Sequence, residues 1–217
     1  ILKFKDQHSD YIRNILILHD GRLASCGDDK KIRIYNMNTF ECEIVVGGHR
    51  DYIYYLSQLD DGRLISCSSD RSIKFWTLSA NKCECLKSIN SAHSDTVNMV
   101  IPLTEHRIVS CSDDMSIKIW SDQSYDCLVI FNRNLSKVKA VLQLKDGRLA
   151  TIFNDGYIHI YEKDLKFTTL FNSSSSFKLS RIFSYEYNIV VCFLLKYSAI
   201  FSKLIFADAA IEAVFVI

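Results

Sequence analysis

The chain has 217 residues, of which 48% are hydrophobic and 24% are charged, a composition typical of a globular protein with enough apolar side chains for a core. Its 26 Lys and Arg residues balance its 25 Asp and Glu residues, so the composition provides neither a basic surface for nucleic acid nor an acidic tail. The longest apolar run, residues 189–195, is too short to cross a bilayer, so we expect no membrane partner.

The first 46 residues contain a pattern of short strands. After His8 come the apolar segment 11–18, the dipeptide Asp20-Gly21, the segment 22–26, a polar turn and the strictly alternating segment KIRIY (31–35). Alternation of this kind predicts a half-buried strand. Asp-Gly between two apolar runs predicts a two-residue hairpin turn, because both turn positions need a positive φ. Residues 41–46 (ECEIVV) predict a fourth strand.

This pattern recurs along the chain. The stretch LASCGDDKKIRIY (23–35) is followed by LISCSSDRSIKFW (64–76), IVSCSDDMSIKIW (108–120) and LATIFNDGYIHIY (149–161). The terminal aromatic residues are spaced by 41, 44 and 41 residues, and each lies 27 residues after His8, His49, His93 or Asn134. Four short antiparallel strands in about 40 residues are typical of one propeller blade. We therefore predict an all-β propeller domain over 1–217, with repeats near 1–40, 41–81, 82–125, 126–166 and 167–217.

The spacing resembles that of the WD-repeat β-propeller family: a His, then a Ser 17 residues on, an Asp 4 further and an aromatic residue 6 further. The resemblance implies one hydrogen-bonded network per blade, which ties the loop before the first strand to the third strand. Buried indole and carboxylate groups need such partners. The implied network residues are His8, Ser25, Asp29 and Tyr35; His49, Ser66, Asp70 and Trp76; and His93, Ser110, Asp114 and Trp120.

The repeats also depart from the family pattern. Neither Trp is followed by Asp, Tyr35 and Tyr161 replace Trp, and Asn134 replaces His. We therefore expect the first and fourth blades to lack the complete network. A fifth, degenerate unit places Ser175 at the His position and Lys196 at the Asp position, with Leu179, Ile182 and Val190 at apolar positions. The apolar tail 206–217 either supplies its outer strand or is unrelated sequence.

The eight cysteines favour a reducing compartment, because a disulfide-rich scaffold would be shorter and less aliphatic. We expect a cytoplasmic or nuclear location with all eight thiols reduced. No CxxC pair occurs and the recurrent histidines fall one per blade, so we expect no metal site and no other cofactor. Residue 1 is Ile and no signal-like segment opens the chain, so we interpret it as a fragment or an excised domain.

The recurrent Ser, His and Asp also imitate a catalytic triad, but they recur in register whereas an active site occurs once. We therefore predict a non-catalytic scaffold that binds a protein or peptide partner and takes no small-molecule substrate. The resemblance places the partner at the top face, on residues three and five positions after each His and on the residue before each turn Asp. These residues are Tyr11, Arg13, Asp28, Tyr52, Tyr54, Ser69, Thr96, Asn98, Asp113, Lys137, Lys139 and Asn154.

Two other functions stay open from the sequence. The chain could be the interaction module of a larger enzyme, of the kinase or ubiquitin-ligase type. It could also read a phosphopeptide or nucleic acid, for which Arg13, Lys137 and Lys139 are the candidate cations. Tyr and Arg are the residues that anchor interfaces, although Tyr is also simply a good strand residue.

Overall fold

The computed structural model describes residue 4, residues 6–132 and residues 136–161, together with the backbone of three later strands. Blade 1 contains β1 (Ile12–Ile17), β2 (Leu23–Gly27), β3 (Lys31–Tyr35) and β4 (Cys42–Gly47). Blade 2 contains β5 (Ile53–Gln58), β6 (Leu64–Ser68), β7 (Ile73–Leu78) and β8 (Cys83–Ile89). Blade 3 contains β9 (Val97–Leu103), β10 (Arg107–Ser112), β11 (Ile117–Ser121) and β12 (Cys127–Phe131). Blade 4 contains β13 (Val138–Gln143), β14 (Leu149–Phe153), β15 (Tyr157–Tyr161) and β16 (Phe167–Asn172).

Each blade is an antiparallel sheet whose four strands lie side by side in chain order. The first strands of successive blades adjoin one another: β1 lies beside β5, β5 beside β9, and β9 beside β13. This arrangement of four-stranded sheets confirms the predicted all-β propeller architecture. The top face is the end of the blades that carries the loops before the first strands and the turns between the second and third strands.

A two-stranded sheet follows blade 4. It contains β17 (Lys178–Tyr185) and β18 (Asn188–Leu194), and β17 lies beside β13. Leu179 pairs with Phe193 and Ile182 with Val191, so the predicted apolar positions of the fifth unit fall on this hairpin. The positions assigned to Ser175, to Lys196 and to the tail 206–217 lie outside the described residues.

The Asp-Gly turns differ from the sequence prediction. Gly21 has a φ of 85° and donates its N–H to the Leu18 carbonyl, while the Leu18 N–H bonds the Arg22 carbonyl. The loop is therefore three residues long, with the left-handed conformation at Gly21 rather than at both members of the dipeptide. Asp20 does not adopt a positive φ, and its carboxylate accepts the Arg22 N–H. The same geometry recurs at Gly62 and Gly147.

The core lies between the blades. One face of blade 1, including Ile32 and Ile34, packs against Leu56, Leu64 and Trp76 of blade 2. The next two interfaces repeat this pattern: Phe75 packs with Trp120, and Ile119 with Tyr161. Alternation along each strand supplies both faces, since neighbouring residues point in opposite directions.

The two faces of blade 1 differ in exposure. Ile15 is 59% exposed, whereas the residues at the same position of the later repeats, Leu56, Val100 and Val141, are at most 1% exposed. Each of these three residues lies in the apolar cluster between its own blade and the preceding blade. The same apolar sequence position is therefore buried only in a blade that has a preceding blade packed against that face.

Seven of the cysteines belong to the described side chains, and all seven are free thiols. Cys26, Cys67 and Cys111 occupy one equivalent position in the second strand of each blade and have no exposed surface. The Cys26 thiol of blade 1 donates a hydrogen bond to the Ile53 carbonyl of blade 2 at 3.4 Å. A small, weakly polar side chain suits this inter-blade position.

Because of the contrast in exposure, two alanine substitutions at equivalent positions should have different effects on stability. Leu56→Ala should lower the free energy of unfolding by about 2–5 kcal/mol, since it leaves a cavity between blades 1 and 2. Ile15→Ala should change it by about 0.5 kcal/mol. Urea denaturation followed by tryptophan fluorescence measures both values. Equal losses for the two variants would show that another part of the protein covers Ile15.

Candidate functional site

The four network residues of blade 2 form one continuous chain of hydrogen bonds. His49 Nδ1 lies 2.9 Å from Asp70 Oδ2, and His49 Nε2 lies 2.6 Å from Ser66 Oγ. The indole Nε1–H of Trp76 donates to Ser66 Oγ at 2.8 Å. The indole only donates, so Ser66 accepts from it, and the Asp70 carboxylate only accepts, so His49 Nδ1 carries the proton that it donates to Asp70. Burial lowers the pKa of His49, so the imidazole is neutral and its Nε2 accepts the hydrogen of the Ser66 hydroxyl.

Blade 3 repeats this arrangement. His93 Nδ1 lies 2.9 Å from Asp114 Oδ2, His93 Nε2 lies 2.7 Å from Ser110 Oγ, and Trp120 Nε1 donates to Ser110 at 2.9 Å. Ser66 and Ser110 have no exposed surface. A hydroxyl that is buried and engaged at both ends is not placed to attack a substrate.

A second serine joins each of these networks, and the sequence spacing alone did not single it out. The hydroxyl of Ser72 donates to Asp70 Oδ1 at 2.6 Å, and Ser116 makes the same bond to Asp114. The Asp70 carboxylate also accepts the N–H groups of Ser72 and Arg50. The available signal was a Ser two residues after the turn Asp in both repeats.

Blade 1 forms the His, Ser and Asp part of the network. His8 lies 2.7 Å from both Asp29 Oδ1 and Ser25 Oγ. The Tyr35 hydroxyl donates its one hydrogen to the Asp6 carbonyl at 3.3 Å, so toward Ser25 it can only accept, unlike an indole. Arg33 Nη1 contacts Asp29 Oδ2 at 2.6 Å. Arg33 thus bonds the network carboxylate of blade 1, as Ser72 and Ser116 do in blades 2 and 3.

Blade 4 departs further from the pattern. Asp155 is exposed, and its carboxylate accepts the N–H of Tyr157. Thr151 is fully buried and donates to the His159 carbonyl at 3.5 Å, while His159 Nδ1 lies 3.1 Å from the Tyr161 hydroxyl. Burial raises the pKa of Tyr161 to about 12. Asn134 lies outside the described residues.

In the networks of blades 2 and 3, burial and hydrogen bonds shift the pKa values of the His and the Asp. Burial lowers the pKa of His49 and of His93, because the charged imidazolium loses its hydration. Burial alone would raise the pKa of Asp70 and Asp114, but hydrogen bonds from the His, the Ser and a backbone N–H outweigh it and lower each pKa well below its usual range. A neutral imidazole beside an ionised carboxylate therefore persists at neutral pH.

At the top face, a backbone contact recurs in all four blades. The residue before the turn Asp donates its N–H to the carbonyl of the residue three positions after the network His, at 2.9–3.0 Å. The pairs are Asp28 with Tyr11, Ser69 with Tyr52, Asp113 with Thr96 and Asn154 with Lys137. The sequence-predicted surface positions are therefore neighbours within each blade.

Between blades 1 and 2 the predicted residues form an aromatic and ionic cluster. Arg13 Nε donates to Asp28 Oδ1 at 2.6 Å, and its Nη2 contacts the other carboxylate oxygen. The guanidinium lies 5.3 Å from the ring centre of Tyr54 and 6.0 Å from that of Tyr11. The hydrogen bond to Asp28 raises the pKa of Arg13. Tyr11 itself is 75% exposed and Tyr52 is 40% exposed.

Between blades 3 and 4 the predicted residues converge on one carboxylate. Asn98 Nδ2 donates to Asp113 Oδ1 at 2.6 Å and to the Val138 carbonyl at 2.8 Å. Lys137 and Lys139 donate to Asp113 at 3.0 Å and 2.5 Å. Burial raises the pKa of Asp113 and these bonds lower it more, so the carboxyl is held ionised.

Among the described side chains, no three His, Cys, Asp or Glu residues converge closely enough to hold a metal ion. In the same part of the chain there is also no long apolar helix that could cross a membrane. The recurrent histidines are separated because each is bound within its own blade.

Comparison with known proteins identifies the repeats. The family model described as WD domain, G-beta repeat matches residues 1–36, 40–77 and 83–121, together more than half of the chain. No curated protein sequence matches. Among solved structures, the crystal structure of the WD40 beta propeller domain of Doa1 is similar, with a TM-score of 0.73 and 18% identity over 85% of this chain. The match covers 61% of that chain, so this chain spans less than two thirds of it. At this identity the likeness shows the fold.

The network geometry predicts that Asp70→Ala destabilises the domain. The substitution leaves the His49 N–H, the Ser72 hydroxyl and the Arg50 N–H without their acceptor, at a cost of about 1–3 kcal/mol or more in the free energy of unfolding. Asp155→Ala is the matched control, because the equivalent carboxylate of blade 4 is exposed, and it should cost about 0.5 kcal/mol. An unchanged melting temperature for Asp70→Ala would contradict the network in blade 2.

Proposed function

The chain belongs to the WD40 repeat family, and we propose that it is a non-catalytic domain that binds a protein or peptide partner at its top face. Propellers of this family are generally protein-interaction scaffolds. The observation that carries the proposal here is the exposure of Tyr11 and Tyr52 on loops whose backbones are bound to the hydrogen-bond networks. Exposed Tyr on a rigid frame provides contact area at a small entropic cost.

The loops that carry these tyrosines are ordered before a partner arrives. The Ser9 and Arg50 N–H groups, just before the two tyrosines, donate to Asp29 and Asp70 of the networks. Asp51 accepts the Tyr52 N–H at 2.9 Å. Binding therefore requires little further ordering of the backbone, which favours affinity.

Reading of nucleic acid is the weaker alternative. Lys137 and Lys139 both bond Asp113, and Arg13 bonds Asp28. Their charge is already compensated, so these three residues offer little attraction for a phosphate backbone.

The proposal predicts that the double variant Tyr11→Ser and Tyr52→Ser loses its partner while staying folded. Affinity capture from cell extract, followed by mass spectrometry, compares this variant with the unsubstituted chain. Leu86→Ser is the control, because Leu86 is 50% exposed on the outer strand β8, away from the top face. Proteins captured by the unsubstituted chain and by Leu86→Ser should be missing with the double variant. An unchanged set of captured proteins would contradict a top-face site at these residues.

A further inference from the structure

The top face of blade 2 carries two exposed guanidinium groups, those of Arg50 and Arg71. Arg50 lies in the loop before β5, and Arg71 lies in the turn between β6 and β7. Among the described residues, neither side chain forms a hydrogen bond or an ion pair, in contrast to Arg13 and Arg33 nearby. Two cations are thus available for a ligand.

The repeats supply an internal comparison for these two positions. Ser9 and Ser94 stand where Arg50 stands, and all three residues donate a backbone N–H to the network carboxylate. The fold uses the backbone at this position and does not require a guanidinium. Arg71 has a φ of 69°, and Gly156 occupies the equivalent turn position with a φ of 89°. Gly adopts this left-handed conformation readily, so the turn does not require an Arg either.

The backbones of the two arginines are both fixed at the network carboxylate of blade 2. The Arg50 N–H bonds Asp70 Oδ2 at 2.8 Å, and Arg71 directly follows Asp70 in the chain. The Arg71 N–H bonds the Ser68 carbonyl at 3.2 Å, which fixes the turn. Both backbones are therefore anchored at Asp70, Arg50 through its N–H and Arg71 as the next residue in the chain.

The surroundings favour an anion with some apolar surface. Lys30 Nζ donates to the Arg50 carbonyl at 3.1 Å and adds a third cation. The Asp51 carboxylate lies 4.0 Å from Lys30 Nζ, and its Oδ1 accepts the N–H of Tyr52. Tyr52 is two residues from Arg50 and offers a half-exposed ring. Paired guanidinium groups suit carboxylate or phosphate oxygens, which they can bind in a bidentate manner.

We propose that Arg50 and Arg71, with Lys30 and Tyr52 at their side, bind an acidic side chain of the partner peptide. This inference rests on the proposed top-face function and names the chemistry of the ligand. The anion is a carboxylate or a phosphate, since guanidinium groups bind the oxygens of both. The test separates these two sources.

The experiment uses substitutions that the other repeats already contain: Arg50→Ser and Arg71→Gly, combined in one chain. Fluorescence anisotropy measures binding of labelled peptides with six Glu-Ala, phosphoserine-Ala or Lys-Ala repeats. The unsubstituted chain should bind the acidic peptides and not the Lys peptide. The double variant should weaken acidic binding at least about tenfold, with no fall in melting temperature. Tighter binding of one acidic peptide identifies phosphate or carboxylate as the preferred anion.

The control has the same change in charge elsewhere: Lys82→Ser, just before β8, combined with Lys87→Ser within β8. It should leave the affinity for the acidic peptides within about twofold. Failure of the unsubstituted chain to bind acidic peptides would overturn the inference, as would equal losses in both double variants or no loss in either. The two proposals can fail separately. If the Tyr11 and Tyr52 variant loses protein capture while the Arg50 and Arg71 variant keeps its affinity for the acidic peptides, this inference fails and the proposed function stands.

Discussion

The rest of the structure depends on a relay of hydrogen bonds from a carboxylate through an imidazole and a hydroxyl to an indole. In blade 2 it joins Asp70, His49, Ser66 and Trp76, which lie on four separate segments of the chain. Each group is buried and has its partners, so the desolvation of one polar group is offset by the next. Loss of one member leaves its neighbours unsatisfied, which makes the relay a cooperative unit rather than a set of independent bonds.

The same relay connects stability to function. It fixes the loop before the first strand against the turn before the third, and both carry the residues of the proposed binding surface. The carboxylate of Asp70 bonds the Arg50 backbone while the next residue, Arg71, projects from the turn. An exposed and uncompensated side chain can therefore extend from a backbone that hydrogen bonds anchor.

Sequence spacing predicted the blades and the His, Ser, Asp and aromatic positions, because in-register repetition has few structural explanations. It did not predict that Arg33 bonds the Asp29 carboxylate of the first network, since residue identity does not reveal where a guanidinium points. It also could not separate exposed Ile15 from buried Leu56, because both occupy the same apolar position. The difference arises because Leu56 has a preceding blade packed against it and Ile15 does not.

The central claim is that His49 and His93 are neutral, with the proton on Nδ1 shared with a carboxylate. Proton and nitrogen NMR of ¹⁵N-histidine-labelled protein, recorded from pH 7.5 to 5.5, tests it directly. We expect a protected Nδ1–H for both rings and no protonation near 6.5, the ordinary pKa of His. A proton on Nε2, or titration of both rings with a pKa near 6.5, would contradict the relay.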